Sequence, residues 1–310
     1  MTTKKNNFLN ENITSVVTIG TFDGVHIGHQ KILQDVVKIS HNEGVVATVL
    51  TLFPHPRMVL HGDTSIKLLN TIEERVSMIK DLQIDNVVVK TFSKDFSNLS
   101  ARDYVKTILV EELNASIVVI GYDHHFGKNR SANINDLREL GKEFSFEVIE
   151  ISAQDVKDVT VSSTKIRNAL AEGNVTHANM LLGYSYFISG KVIKGKSIGR
   201  TISFPTANID VHADYKLIPK DGAYIVSSDI DGVLYYGMMN IGTNPTVDGK
   251  DKSIEVHFFD FDNDLYGNEI RIQFLKRLRD EHKFGSVEEL KSQLEQDRNN
   301  AKAYIASLNE

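Results

Sequence analysis

Short apolar runs alternate with helical periodicity through the first half of the chain. The runs SVVTIG (15–20), GVVATVLTLF (44–53), NVVVKTF (86–92), ASIVVIG (115–121) and SFEVIEI (145–151) predict strands buried on both faces. Between them, HQKILQDVVKIS, TIEERVSMIKDL and ARDYVKTILVEEL repeat apolar residues at helical spacing. Strand–helix alternation predicts right-handed crossovers and a parallel sheet with helices on both sides. A ligand then sits beyond the carboxyl ends of the strands.

Helical periodicity continues through STKIRNALAEGNVTHANMLLG and stops near Gly183. From Tyr184 the pattern changes to alternating runs broken by Gly, Asp-Gly and Asn: YSYFISGKVIKG, GAYIVSSDIDGVLYYGMMNIG and SIEVHFFDFDNDLYGNEIRIQFLKRL. These predict antiparallel strands closing as a small barrel. SVEELKSQLEQDRNNAKAYIASL then reads as a closing amphipathic helix, capped by Ser286 with Glu289 three residues on. The expected domains are 1–183 and 184–310.

Composition narrows the class. The chain has 310 residues, 41% hydrophobic and 25% charged, which is ordinary for a two-domain globular protein. Net charge is −6 with scattered cations, so no nucleic-acid partner is expected. The chain has no cysteine, which excludes disulfides, thiolate metal sites and a cysteine nucleophile. The N-terminus lacks the apolar segment of a secretory signal, and VVATVLTLF falls far short of the roughly 20 residues of a membrane helix. A cytoplasmic protein with no membrane partner is expected.

After the first strand, VVTIGTFDGVHIGHQKIL places His26 and His29 three apart where a helix begins, among Gly20, Gly24 and Gly28. Bare backbone at a helix N-terminus suits phosphate, and imidazoles there can stabilise a transferring phosphoryl group. A metal-binding or structural histidine pair is the competing reading. FPHP puts His55 in a rigid turn after Pro54, and GYDHHFGKNR follows another strand with Asp123, two histidines and Gly127. SSTKIR opens a helix with Ser162, Ser163 and Thr164, and Arg167 lies one turn after Ser163. Each alone is an ordinary turn or cap. Four at strand ends of one parallel sheet favour phosphate.

In the second half, Gly190, Gly195 and Gly199 interleave with Lys191, Lys194, Lys196 and Arg200 and lead into Phe204-Pro205-Thr206-Ala207-Asn208. Thr206 and Asn208 alternate on a strand start and face the same way. Hydroxyl and amide oxygens are hard ligands suited to Mg²⁺. The bland alternative is a basic hairpin running into a polar turn.

GTFDGVHIGH, FPHP, GYDHHFG and SSTKIR, in that order, resemble the adenylyltransferase module of bacterial bifunctional FAD synthetases (riboflavin kinase/FMN adenylyltransferase). GR…FPTANI, GMMNIGTNPT and IEVHFFDFDNDLYGNEIRIQFLKRLRDEHKF resemble their riboflavin kinase module, so the likeness covers nearly the whole chain. HxGH alone is shared by many nucleotidyltransferases; PTAN and the ordered set are far more specific. The resemblance implies a Rossmann-like nucleotidyltransferase domain followed by an antiparallel β-barrel with a C-terminal helix. It implies that riboflavin and ATP give FMN in the barrel, and that FMN and ATP give FAD and pyrophosphate in the first domain, both with Mg²⁺.

By the same resemblance His26 and His29 are catalytic and contact ATP phosphates with Gly20, Phe22, Asp23, Gly24, Gly28, Ser162, Ser163, Thr164 and Arg167. Pro54, His55, Asp123 and Phe126 belong to the flavin side. In the barrel, Thr206 and Asn208 hold the metal, and Glu255 is the general base for the riboflavin 5′-hydroxyl. Gly190, Gly195, Gly199, Arg200, Pro205, Asn240 and Arg279 line the ATP and flavin pocket.

The chain departs from the family at His124, usually aromatic, and at Ala132 and Ser203, usually glycine. Serine at a positive-φ position adds about 1–2 kcal/mol of strain, so lower efficiency is expected there. The competing readings are an enzyme with only the kinase live, a flavin-binding regulator without turnover, and an adenylyltransferase for another metabolite. DHH also resembles the manganese-binding DHH phosphoesterases, whose other aspartate-rich elements are missing.

Overall fold

A computed structural model describes residues 14–60, 62–63, 65–121, 124–151, 161–195, 204–246 and 249–308. The chain divides into two compact units, 1–162 and 163–310.

In the first unit, β1 (Ser15–Gly20), α1 (Ile27–Glu43), β2 (Val46–Phe53), α2 (Pro56–Leu60), α3 (Ile72–Asp81) and β3 (Asn86–Thr91) follow in order. Then come α4 (Lys94–Ser97), α5 (Ala101–Tyr104), β4 (Ala115–Gly121), α6 (Ile134–Phe144) and β5 (Glu147–Ile151). The strands form one parallel sheet in the order β3-β2-β1-β4-β5. Successive residues of β1 face opposite layers. Val16 joins Leu33, Val36 and Ile79 on one side, and Val17 joins Tyr104, Val105, Leu109 and Leu137 on the other. Both faces are covered, as unbroken apolar strands require.

The predicted helix over 101–113 is α-helical only to Tyr104. Val105–Glu112 is a π-helix whose widened turns still aim Val105, Ile108 and Leu109 at the sheet. β1 lies between β2 and β4, so the chain reverses its winding there. The loops after β1, β2 and β4 therefore leave from one edge of the sheet, where such folds bind ligands.

The second unit opens with α7 (Ser163–Glu172) and α8 (Val175–Leu182), which end in positive-φ glycines, Gly173 and Gly183. These helices belong compactly with the barrel, so the unit division falls before the change of pattern at 183/184. Asn179 explains the attachment of α8. Its amide donates to Phe274 O at 2.8 Å and its carbonyl accepts from Tyr186 N at 2.7 Å.

The barrel comprises β6 (Phe187–Ile193), β7 (Ala207–Asp210), β8 (Gly222–Ile230), β9 (Val233–Thr246), β10 (Gly249–Phe258) and β11 (Glu269–Arg279). It closes antiparallel as β10-β7-β6-β11-β8-β9. The Asp-Gly signal marks a two-residue hairpin, where Asp231 (φ 53°) and Gly232 (φ 80°) join paired Ile230 and Val233. The closing helix, α9 (Val287–Ala306), is capped by Ser286, which accepts from Glu289 N. It buries Ala301 against Phe204, Ile225, Met238 and Phe259. Among the described residues, no helix is long and apolar enough to cross a membrane.

Candidate active sites

The segment after β1 is bent by three positive φ angles in four residues: Phe22 (46°), Gly24 (88°) and Val25 (35°). The two non-glycine positions each cost about 1–3 kcal/mol and persist only when their surroundings hold them. Those surroundings are visible. Gly24 N donates to Asn70 Oδ1 at 2.8 Å, and the buried Asp23 carboxylate accepts from Leu69 N at 3.0 Å and Asn70 N at 3.3 Å. Arg75, also fully buried, places Nη2 3.4 Å from Asp23 Oδ1. Asp23 is thus turned into the protein and fixes the loop. Leu69, Asn70 and Arg75 belong to none of the motifs that the sequence presents.

The bend delivers His26 as the N-cap of α1. His26 Nδ1 accepts from His29 N at 3.3 Å, so neutral His26 carries its proton on Nε2. The two imidazoles stack with centroids 3.6 Å apart, and Phe22 meets His29 edge-on at 5.3 Å. His29 is held well below the ordinary imidazole value of 6.5, first by burial, then by the charges of His26 and Arg75. Its Nδ1 is buried and has no hydrogen-bond partner among the described residues. A buried, unpaired ring nitrogen at a helix N-terminus is suited to a ligand.

Gly28 has a steric reason. A Cβ there would lie 3.2 Å from Val161 Cγ1 and 3.4 Å from the His26 ring. Val161, just before Ser162, therefore lies against Gly28 beside the His26 ring. Ser163, Thr164 and Arg167 belong to the first turns of α7, in the second unit.

Pro54 and His55 turn the chain after β2, and His55 Nδ1 accepts from Arg57 N at 3.2 Å. Phe126 is buried, bridges to Ala132 and stacks on His124 at 6.0 Å. Alanine at 132 thus lies inside a small antiparallel bridge. Asp123 lies outside the described residues.

In the barrel, strand register gathers the predicted residues into one row. Asn208 pairs with Glu255, Glu255 with Asn240, Asn240 with Ala223, and Ala223 with Arg279. Directly opposed residues share a face. Thr206 joins the row, its hydroxyl donating to Glu255 Oε2 at 3.1 Å. Val256 and Met239, next along their strands, are buried on the other face.

Gly195 is needed for close approach, since a Cβ would overlap the Asn208 amide. Gly190 likewise packs directly on Asp210 O. Pro205 O accepts from His257 Nδ1 at 2.8 Å, which anchors the turn before Thr206. Desolvation, the largest influence on His257, pushes its pKa down.

Arg279 is engaged by Asp297 of α9, with Nε 2.9 Å and Nη2 2.8 Å from Asp297 Oδ2. Glu281, not singled out by the sequence, rests its carboxylate on Gly242 beside the Asn240 amide. Gly199, Arg200 and Ser203 lie outside the described residues.

Comparison with known proteins gives two family matches: the FAD synthetase model over residues 9–165 and the riboflavin kinase model over 182–305. A Listeria monocytogenes protein named bifunctional riboflavin kinase/FMN adenylyltransferase is 40% identical over 298 residues, covering 96% of this chain and 94% of its own. Proteins of the same name from Bacillus subtilis (38%, covering 96% and 95%) and Escherichia coli K12 (33%, covering 94% and 92%) also match. A Streptococcus pneumoniae crystal structure titled macrolide-efflux protein superposes with a TM-score of 0.86 at 33% identity, covering 95% of each chain.

Proposed function

The chain belongs to the bifunctional riboflavin kinase/FMN adenylyltransferase family, and from that premise we propose that each unit houses one ATP-dependent step of flavin-nucleotide synthesis, with the residues below. Riboflavin becomes FMN in the barrel, and FMN becomes FAD at the paired imidazoles. The observation that carries the kinase assignment is the Thr206–Asn208–Glu255–Asn240 row, which sets one carboxylate among neutral oxygen donors.

In the kinase step, the riboflavin 5′-oxygen attacks the γ-phosphorus of ATP while the bond to the bridging oxygen breaks and ADP leaves. An alcohol is a poor nucleophile at neutral pH, so Glu255 accepts its proton. The Thr206 hydroxyl orients that carboxylate before substrate arrives. Asn240 and Gly195 shape the pocket, and Gly190, Gly199, Arg200, Pro205 and Arg279 complete its frame. The donor set fits Mg²⁺: Thr206 and Asn208 offer neutral hard oxygens beside an anionic one, as Mg²⁺ entering with nucleotide phosphates requires. Bound there, Mg²⁺ would neutralise the charge of the transferring phosphoryl group.

In the adenylylation step, an FMN phosphate oxygen attacks the α-phosphorus and pyrophosphate leaves. No proton need be removed from that nucleophile, so the site's work is to hold phosphates and stabilise charge. His26 caps the helix whose N-terminus meets the phosphates, and His29 offers its ring beside it. Gly20, Phe22, Gly24 and Gly28 let the chain pass close to the nucleotide, with Asp23 behind. Ser162, which follows Val161 at the end of the first unit, joins them on the phosphates. Pro54, His55, Asp123 and Phe126 form the flavin side. Both steps belong to the cytoplasm, where ATP and flavins meet.

Incubating the purified protein with riboflavin, ATP and Mg²⁺, and separating the flavins by chromatography, tests this. FMN and FAD should both appear. FMN without FAD would leave the first unit without turnover, and no new flavin would make the protein a binder.

A further inference from the structure

The buried couple between Asp23 and Arg75 has no surface role. Both side chains are essentially inaccessible, at 1% and 0% exposure. Two charges taken fully out of water are often worth less than an apolar pair of the same volume, so stability alone is a weak reason to keep them. Their placement supplies a better one. Asp23 sits between the two strained residues Phe22 and Val25, next to positive-φ Gly24 and just before the N-cap histidine. Its two carboxylate oxygens both accept from Leu69 N, and Asn70 N donates to one of them. The Asn70 side chain closes the circle by accepting from Gly24 N.

The segment 68–71 thereby grips the bend at Asp23 and at Gly24. Arg75 stands on α3, one turn beyond the Thr71 cap. That cap is itself locked by reciprocal bonds between Thr71 and Glu74. The guanidinium places a positive partner beside the carboxylate in this dry position, 3.4 Å from Oδ1.

We infer that Asp23 and Arg75 are positioning residues for adenylyl transfer: they hold the strained 22–25 bend that sets His26 and His29 at the helix N-terminus. Neither touches substrate. The inference rests on the reading of residues 20–29 as the adenylylation site. A small shift of donor groups around a transferring phosphoryl group reduces turnover more than it reduces ground-state binding. The signature is thus a fall in kcat at nearly constant KM.

The test uses the full chain and four variants: Arg75→Met, Arg75→Lys, Asp23→Asn and His29→Ala. FAD formation from supplied FMN is measured per folded molecule, with folding followed by circular dichroism and FMN formation from riboflavin as the internal control. Arg75→Met and Asp23→Asn should lower the adenylylation kcat about 10- to 100-fold, change KM for ATP less than about threefold, and leave riboflavin phosphorylation intact. Arg75→Lys, which keeps the charge, should recover most of the loss. If Arg75→Lys is as poor as Arg75→Met, or if the loss vanishes once corrected for the folded fraction, the positioning role is refuted. His29→Ala separates the two levels: if it leaves FAD formation intact, the site reading fails, whatever the other variants do.

Discussion

The Thr206 hydroxyl donates to Glu255 Oε2 at 3.1 Å, across neighbouring strands of the barrel. This contact joins the PTAN turn to the carboxylate proposed as the general base, so one hydroxyl takes two proposed tasks, at the base and at the metal. Thr206→Val keeps the shape and removes the oxygen. It should lower riboflavin phosphorylation about 10- to 100-fold, within the range of a lost positioned group. Thr206→Ser should stay within a few-fold of the parent. Steady-state rates of FMN formation check both.

Gly195 offers a test that separates pocket shape from stability. A side chain there must displace the Asn208 amide, the movable end of a side chain rather than backbone. Gly195→Ala should therefore raise KM for Mg–ATP in the kinase reaction while changing unfolding free energy by less than about 1 kcal/mol. A melting curve and an ATP titration on the same sample suffice.

His29 makes the first unit sensitive to acid. Its folded-state pKa lies well below 6.5, so the unfolded chain takes up the proton first as pH falls. The stability due to neutral His29 is fully present above about pH 6.5 and is lost as pH drops toward the lowered value. Urea midpoints at pH 7 and pH 5 should differ more for the parent than for His29→Gln, which cannot titrate there. Equal differences would contradict the assignment.

Arg279 and Asp297 fasten α9 to the barrel. Asp297 is 4% exposed in its side chain and also accepts from Gln293 Nε2 at 2.9 Å. Asp297→Ala leaves a partly buried cation without its partner and should destabilise the second unit by about 2–3 kcal/mol. Replacing both, as Arg279→Met with Asp297→Leu, should recover most of that loss in thermal melts, because no charge is then stranded.

Periodicity made the sheet, the barrel and α9 legible, because each element has one apolar pattern matched to one environment. The runs of β1 and β4 are apolar without alternation since helices cover both faces, and the Asp231-Gly232 dipeptide marks a turn because both residues must take positive φ. The site histidines were legible as a cluster, but their stacking depends on the bend at 22–25, which no local propensity favours. Arg75 was missed for a physical reason. It falls on the inward stripe of α3 with Ile72 and Ile79, where an arginine is rare unless a carboxylate from another part of the chain meets it. A charge inside an apolar stripe was the available signal. The compact-unit division at 162/163 was hidden because α7 and α8 carry the same helical periodicity as the first unit, while Leu170 O of α7 accepts from Lys220 N and Asn179 of α8 donates to Phe274 O of the barrel.

The two-site account is tested most directly by a crossed assay of His29→Ala and Glu255→Gln, each given riboflavin, ATP and Mg²⁺, with and without added FMN. His29→Ala should accumulate FMN and form no FAD. Glu255→Gln should form FMN about 10²- to 10⁴-fold more slowly and yet convert added FMN to FAD at the parent rate. Loss of both products in either folded variant would contradict it.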